Sequence, residues 1–187
     1  MTKTGLFLML LLATLPGRAA EYVIDTRGGH ASIVFKYKHI GISWLTGEFR
    51  EFSGRFNWDP DNPEASSVVV EIDPASLDSN HAERDKHVRG EDYLNVEKYP
   101  EAAFRSTRVE SKSDDRATIY GDLTLHGQTH EIAIDASLVG RGDDPWGGYR
   151  AGFQGTTTID TEQFGFSMPP TNRVHLELYI EGIRQDG

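Results

Sequence analysis

Arg116-Ala117-Thr118-Ile119-Tyr120-Gly121-Asp122-Leu123-Thr124-Leu125-His126-Gly127-Gln128-Thr129-His130-Glu131-Ile132-Ala133-Ile134-Asp135-Ala136-Ser137-Leu138 alternates twice, and that alternation decides the fold class. Ala117, Ile119, Gly121, Leu123 and Leu125 fall on one face, with Arg116, Thr118, Tyr120, Asp122 and Thr124 opposite. Beyond His126-Gly127 the pattern resumes, with Ile132, Ile134, Ala136 and Leu138 set against Glu131, Asp135 and Ser137. A period of two is the mark of strands with one buried face. His126-Gly127-Gln128 between the two runs reads as a tight hairpin.

The same period extends outward in both directions. Ile33, Phe35 and Tyr37 share a face, as do Val68, Val70 and Ile72, and near the end Val174, Leu176, Leu178 and Ile180. A slip of one residue would turn each set inside out, so register is strongly specified. One run breaks the rule: Phe52, Gly54, Phe56 and Trp58 share a face on which Glu48 and Arg50 also fall, while Phe49 does not. A bulge or sharp bend near Arg50–Glu51 repairs it. Asp59-Pro60-Asp61-Asn62-Pro63, Ser113-Asp114-Asp115 and Asp143-Asp144-Pro145-Trp146-Gly147-Gly148 are breaker clusters between strands. With no internal repeat and no interdomain linker, about eight strands joined by mostly short turns predict an antiparallel barrel or sandwich.

The first twenty residues predict export. Lys3 precedes an apolar core ending at Leu15, Pro16-Gly17 breaks it, and Ala19-Ala20 offers a cleavage site. Such a core is the length of a signal-peptide h-region, about 7–15 residues, and short of the roughly 20 a spanning helix needs. Residues 1–20 are therefore expected to be a cleavable signal, the cut falling after Ala19 or Ala20, and residues 21–187 one domain. The expected location is the periplasm, with no stable membrane anchor. The absence of cysteine rules out disulfides, thiolate catalysis and cysteine-ligated metals. Losing the two basic residues of the signal takes the net charge from −10 to −12. A body so acidic repels nucleic acid and anionic headgroups, and no nucleic-acid partner is expected.

Asn80-His81-Ala82-Glu83-Arg84-Asp85-Lys86-His87-Val88-Arg89 is the densest charged run. Asn80 with Glu83 has capping-box spacing, Gly90 suits a helix end, and Lys86, His87 and Arg89 fall where the helix dipole favours cations. Asp85 with Arg89, and Glu83 with His87, are spaced to pair on a helix surface. These rules account for a short inserted helix. The competing reading is a metal-assisted hydrolase using His81, Asp85 and His87, although the spacing is not that of His-Glu-x-x-His. Ser43, Ser53 and Ser167 lack a Gly-x-Ser-x-Gly elbow, and Arg141-Gly142-Asp143 reads as a strand-end turn. No phosphate loop or dinucleotide fingerprint occurs.

Asp78 through Pro100, read with the helix run, closely resembles the YceI family of exported bacterial proteins. The likeness continues in Phe35-Lys36-Tyr37-Lys38-His39-Ile40-Gly41-Ile42-Ser43-Trp44-Leu45-Thr46-Gly47-Glu48-Phe49, in Gly121 to Gly127 and in Gly142 to Phe153. The resemblance implies an all-β, extended lipocalin-like eight-stranded antiparallel barrel with one short helix near 80–89. It also implies a long isoprenoid or similar amphiphile held inside and carries no established enzymatic activity; the chain is expected to be no enzyme and to need no cofactor and no metal. The lining expected on that basis is Ile33, Phe35, Tyr37, His39, Phe56, Trp58 and Ile119, together with Leu123, Ile134, Leu138, Phe153, Leu176 and Leu178. Small inward residues (Gly54, Gly121, Ala136, Ala151, Gly155) are expected to leave volume for the tail, and a headgroup to meet His39 or Tyr37 at a mouth. Eight strands enclose a space that either fills with side chains or holds one slim ligand. The alternative is accordingly a packed barrel acting as a stress-related interaction protein. A homodimer is compatible with either.

Overall fold

A computed structural model describes residues 19–185; positions 1–18 of the expected signal segment lie outside the described residues. The elements are β1 (Ala20–Ile24), β2 (Ser32–His39), β3 (Ser43–Phe49), β4 (Phe52–Trp58), β5 (Ser67–Ile72), β6 (Leu77–Asp78), α1 (Ala82–Arg89), β7 (Ala102–Ser113), β8 (Arg116–Leu125), β9 (Gln128–Asp143), β10 (Tyr149–Asp160) and β11 (Arg173–Arg184). Every pairing is antiparallel, in the order β1-β4-β5-β7-β8-β9-β10-β11, and β1 returns to pair with β11. Those eight strands close a barrel.

The remaining three strands belong to the same staves. Tyr22 to Ile24 of β1 pair with the C-terminal half of β11 (Arg184 to Gly182), and Ser32 to Tyr37 of β2 pair with its N-terminal half (Tyr179 to Val174). Likewise β3 runs into β4, and β6 follows β5 across one short turn. The expected count of eight holds for staves, while three staves are each broken into two strands. The break expected near Arg50–Glu51 is one of them. It shifts the alternation so that both Phe49 and Phe52 face inward, Phe49 meeting Phe35 at 5.8 Å between ring centres. The expected hairpin also forms: Leu125 pairs with Gln128 around His126 and Gly127, both at positive φ.

Side chains from inside the barrel gather into two clusters. The upper one holds Tyr22, Ile24, Ile33, Phe56, Val70 and Ala151; the lower one includes Tyr37, Leu77, Leu94, Phe104, Leu125, Phe164 and Val174. Two of the inward glycines, Gly54 and Gly121, do not leave the volume expected of them. A Cβ on Gly47 would overlap the Phe35 ring, one on Gly121 the Phe104 ring, and one on Gly182 the Phe56 ring. Gly54 is hemmed in by the Val69 carbonyl and Ile24. Large rings on neighbouring staves lie over these glycines, as aromatic–glycine pairs do in strongly curved sheets. Gly182→Val is therefore expected to cost about 1–3 kcal/mol by overpacking. A urea titration checks this, and an unchanged midpoint would show that Phe56 moves aside freely.

Helix α1 forms where expected but is capped one residue later. His81, in extended conformation, accepts the Arg84 N–H at Nδ1 (3.2 Å), while Asn80 turns through φ 62° before it. Gly90 ends the helix in extended rather than left-handed conformation, its N–H bonded to His87 O. The expected side-chain pairs give way to tertiary partners. Asp85 is buried and accepts from the Ser79 N–H (3.0 Å) and hydroxyl, Arg84 holds Ser79 from the other side, and Arg89 donates to Leu77 O at 2.7 Å. The helix is thus stitched to β6 through its charged residues. A helix with almost no apolar face is held there by hydrogen bonds.

Candidate functional site

The lower end of the barrel is closed by the connection from β10 to β11. Thr161 N–H donates to Asn172 O (2.8 Å), and the Asn172 side chain accepts from Met168 N–H (2.6 Å) while donating to Glu162 (2.7 Å). Folded back in this way, the segment pushes Phe164 to complete burial, with Thr161 beside it. His126 donates its Nδ1–H to Phe164 O at 2.8 Å. Tyr37 reaches the same plug from β2: its hydroxyl lies 2.9 Å from Met168 O and against Pro169 O. Burial raises the Tyr37 phenol above its ordinary pKa.

Above this floor lies an apolar cavity of about 200 Å³, open at the upper end. Ile33, Phe56, Ile119, Leu123 and Ile134 line it, with Leu138, Phe153, Leu176, Leu178 and Trp58. Three residues named from the sequence lie elsewhere. Phe35 sits lower, over Gly47 and against Phe49. Tyr37 belongs to the closed end. His39 is exposed, because β2 outruns β11 at that point; the final pair between them is Tyr37 with Val174. Of the small residues, Ala136 and Gly155 border the cavity. Ala151 is fully buried in the upper core.

The mouth is formed by groups not foreseen as polar ligands. Asn57 and Ser67 come from the facing ends of β4 and β5 with Ser66 just before β5, and Ser113 and Arg116 from the ends of β7 and β8 with Asp114 and Asp115 in the turn between them. An aromatic stack guards it: Phe153 stands edge-on to Trp58 (5.2 Å) and to Phe56 (5.5 Å), and Phe56 lies parallel to Tyr22 at 4.8 Å. Arg141, the first residue of the Arg-Gly-Asp tripeptide at the end of β9, covers the Trp58 ring at 5.3 Å.

Outside the barrel, a charged cluster bridges the loop after β1 to β10 and β11. Arg150 contacts Asp25 (2.7 Å), Glu181 (2.5 Å) and Asp144 (2.8 Å), and His30 Nδ1 lies 2.9 Å from Asp25. Hydrogen bonds from Arg150 and then His30 hold the Asp25 carboxyl down at about 2, from an ordinary 3.8, and the Arg150 guanidinium is correspondingly raised. Among the described residues, Asp25, His30 and Glu181 are also the one trio whose ligand atoms come within 4.8 Å of one another. Arg150 already bridges its two carboxylates, so a guanidinium stands in the place of a cation. The trio His81, Asp85 and His87 does not assemble: His81 caps the helix, Asp85 is committed to Ser79, and His87 is exposed near Asp92. A second hollow of about 760 Å³ lies on the outer wall between Trp44 and Glu131, lined by Thr156, Thr158, His175 and the Lys36–Glu177 pair; it is open, and its surface is about half polar, with Ile132 and Ile159 among the apolar part.

A closed antiparallel barrel of eight staves, plugged at one end and apolar within, defines a lipocalin-like protein. The model of the YceI-like domain matches residues 22–182, and the chain belongs to that family. A UPF0312 protein of Shewanella putrefaciens is 52% identical over 178 residues, covering 94% of this chain and 93% of that one. A UPF0312 protein of Vibrio cholerae is 52% identical over 168 residues, 89% of each chain. Among solved structures, the YceI protein of Campylobacter jejuni superposes with a TM-score of 0.72 at 26% identity, over 81% of this chain and 91% of its own. A polyisoprenoid-binding domain from Saccharophagus degradans shares the fold at 13% identity, with a TM-score of 0.65 over 90% of this chain and all of its own. No helix among the described residues is long and apolar enough to cross a membrane.

Proposed function

We propose that this protein is an exported, non-enzymatic carrier or scavenger that holds the tail of a long-chain isoprenoid or similar amphiphile in its barrel. The observation that carries the reading is the apolar cavity with one plugged end and one polar mouth. A structural neighbour named as a polyisoprenoid-binding domain supports it. The export signal expected in residues 1–20 supports a periplasmic setting.

The volume bounds the mode of binding. About 200 Å³ exceeds the roughly 150 Å³ that admits a benzene ring, and falls below the roughly 300–1,000 Å³ of sites for drug-sized molecules. Without movement the cavity takes the end of a tail, and the rest of a long chain projects past Trp58 or parts the walls. Each buried methylene contributes about 0.8 kcal/mol, so chain length sets affinity once the cost of association is exceeded. Asn57, Ser66, Ser67, Ser113 and Arg116 are placed to meet the polar end.

Native mass spectrometry after gentle purification, followed by incubation with octaprenol, tests the reading. The wild type is expected to retain or take up the lipid. Ala136→Phe, which fills the cavity from β9, is expected to lose uptake with an unchanged circular dichroism spectrum. A folded wild type that never takes up a long-chain amphiphile would favour the packed-barrel reading instead.

A further inference from the structure

The β2–β3 hairpin ends in a feature that folding does not explain. Ile40 and Gly41 make the turn at φ 43° and 79°, closed by the Ile42 N–H on His39 O at 2.9 Å. Left-handed φ is costly for a β-branched residue, and asparagine is the usual choice before glycine in such a turn. Ile40 gains no burial in return, being 62% exposed, and Ile42 and Trp44 beside it are 81% and 53% exposed. A local rule broken without a compensating contact points to a contact outside the chain.

The adjoining strand has an open side. β3 pairs with β2 along its whole length, but on its other edge β6 covers only Glu48 and Phe49. From Ser43 to Thr46 alternate N–H and C=O groups face outward with no strand beside them among the described residues, and Gly47 marks the limit of the open edge, against the Asp78 carbonyl. Natural edges are usually protected by proline, by charge or by extreme shortness, and Ser43-Trp44-Leu45-Thr46-Gly47 has none of these devices.

Charge and hydrogen bonding choose the occupant. From residue 36 to 46 the chain carries Lys36, Lys38 and His39 and no acidic residue, in a protein with 29 acidic and 19 basic side chains. Lys36 is matched by Glu177, which leaves Lys38 and His39 facing outward, with Lys38 over the Trp44 ring. A second copy would set these cations against themselves. A bilayer would leave the edge amides without partners as they left water. An extended peptide answers both requirements.

We propose that the edge of β3 from Ser43 to Thr46, with the Ile40–Trp44 tip, is a docking site for an extended, acidic segment of a partner protein. The segment adds as a further strand, with alternate apolar side chains on Ile42 and Trp44. The proposal is independent of what the barrel holds.

A displayed library of nine-residue peptides, selected on the full mature chain, tests it. Acidic sequences with alternating apolar residues are expected to be enriched, and the strongest of them to slow amide hydrogen exchange at alternate residues of Ser43–Thr46. Trp44→Lys, at an exposed position, is expected to weaken that peptide by about tenfold or more. Ile40→Asn separates docking from folding: relief of the turn is expected to raise Tm by roughly 2–4 °C while peptide affinity falls. The proposal is overturned if no acidic sequence is enriched, if edge amides stay unprotected in the complex, or if Ile40→Asn lowers stability. Binding to phosphatidylglycerol vesicles through Ile42, or a dimer lost in Trp44→Lys, would overturn it in favour of those occupants.

Discussion

Phe164→Ala is expected to destabilise the protein by about 3–5 kcal/mol, the range for truncating a fully buried aromatic ring. Phe164 has no exposed surface, stands edge-on to His130 at 5.2 Å, and belongs to the lower core with Phe104, Leu125 and Phe166. The main-chain carbonyl that anchors His126 is kept in the variant, so the loss reports the emptied ring site. A urea titration reads the loss as a lower midpoint at unchanged m-value. A change below about 1 kcal/mol would place the plug outside the cooperative core, since surface substitutions rarely exceed 0.5 kcal/mol.

Arg150→Met is the second large effect. It leaves Asp25, Asp144 and Glu181 converging without their common partner, and Asp25 and Asp144 are mostly buried. Removing one member of a buried ionic group costs about 3–5 kcal/mol, and the partial exposure of Glu181 places this case near the lower bound. The pH dependence follows from the sign of the Asp25 shift. Its carboxyl is held at about 2 in the folded protein against an ordinary 3.8, so its contribution is fully present above about pH 5 and fades as pH falls from about 4 to 2. In Arg150→Met that acid-sensitive increment is expected to shrink, so wild type and variant converge at low pH. Thermal unfolding at pH 7 and pH 3 checks this; parallel losses at both would contradict it.

Alternation in the sequence carried the fold because each stave has one wet face. The Phe49/Phe52 parity break was visible as a conflict between two aromatic sets, and the bend resolves it as the pattern required. The ends of the barrel were less legible. His39 lies on the apolar face of β2 by parity, but alternation says nothing about where a stave outruns its neighbour. That β3 and β4 form one stave does place the turn after His39 and the turn after Trp58 at opposite ends, which puts the mouth with Asn57 and Ser67. Glycine misled for a related reason. Composition treats a small inward residue as space, whereas Gly54 and Gly121 are spaces already taken by a neighbour's backbone and side chain. The Arg150 cluster gave no local signal, since its members stand at positions 25, 144, 150 and 181.

The three broken staves have a mechanical meaning. Their interruptions, between Ile24 and Ser32, Phe49 and Phe52, and Ile72 and Leu77, sit side by side and divide one wall into an upper panel (β1, β4, β5) and a lower panel (β2, β3, β6). β5 reaches β7 through Ile72 and Ala102, whereas β6 has no ladder to β7, and α1 stands near that gap with its ties to Ser79 and Leu77. The opposite wall, β7 to β11, is continuous. Because no ladder joins β6 to β7 among the described residues, the girth below the seam is set by side-chain packing and by the ties of α1, and not by a closed ring of backbone bonds. Closure at that end rests on the Tyr37 hydroxyl bonded to the plug and on Leu77 and Phe164 packed in one core, so side chains lock the lower end where a closed ring of strand pairs locks the upper one.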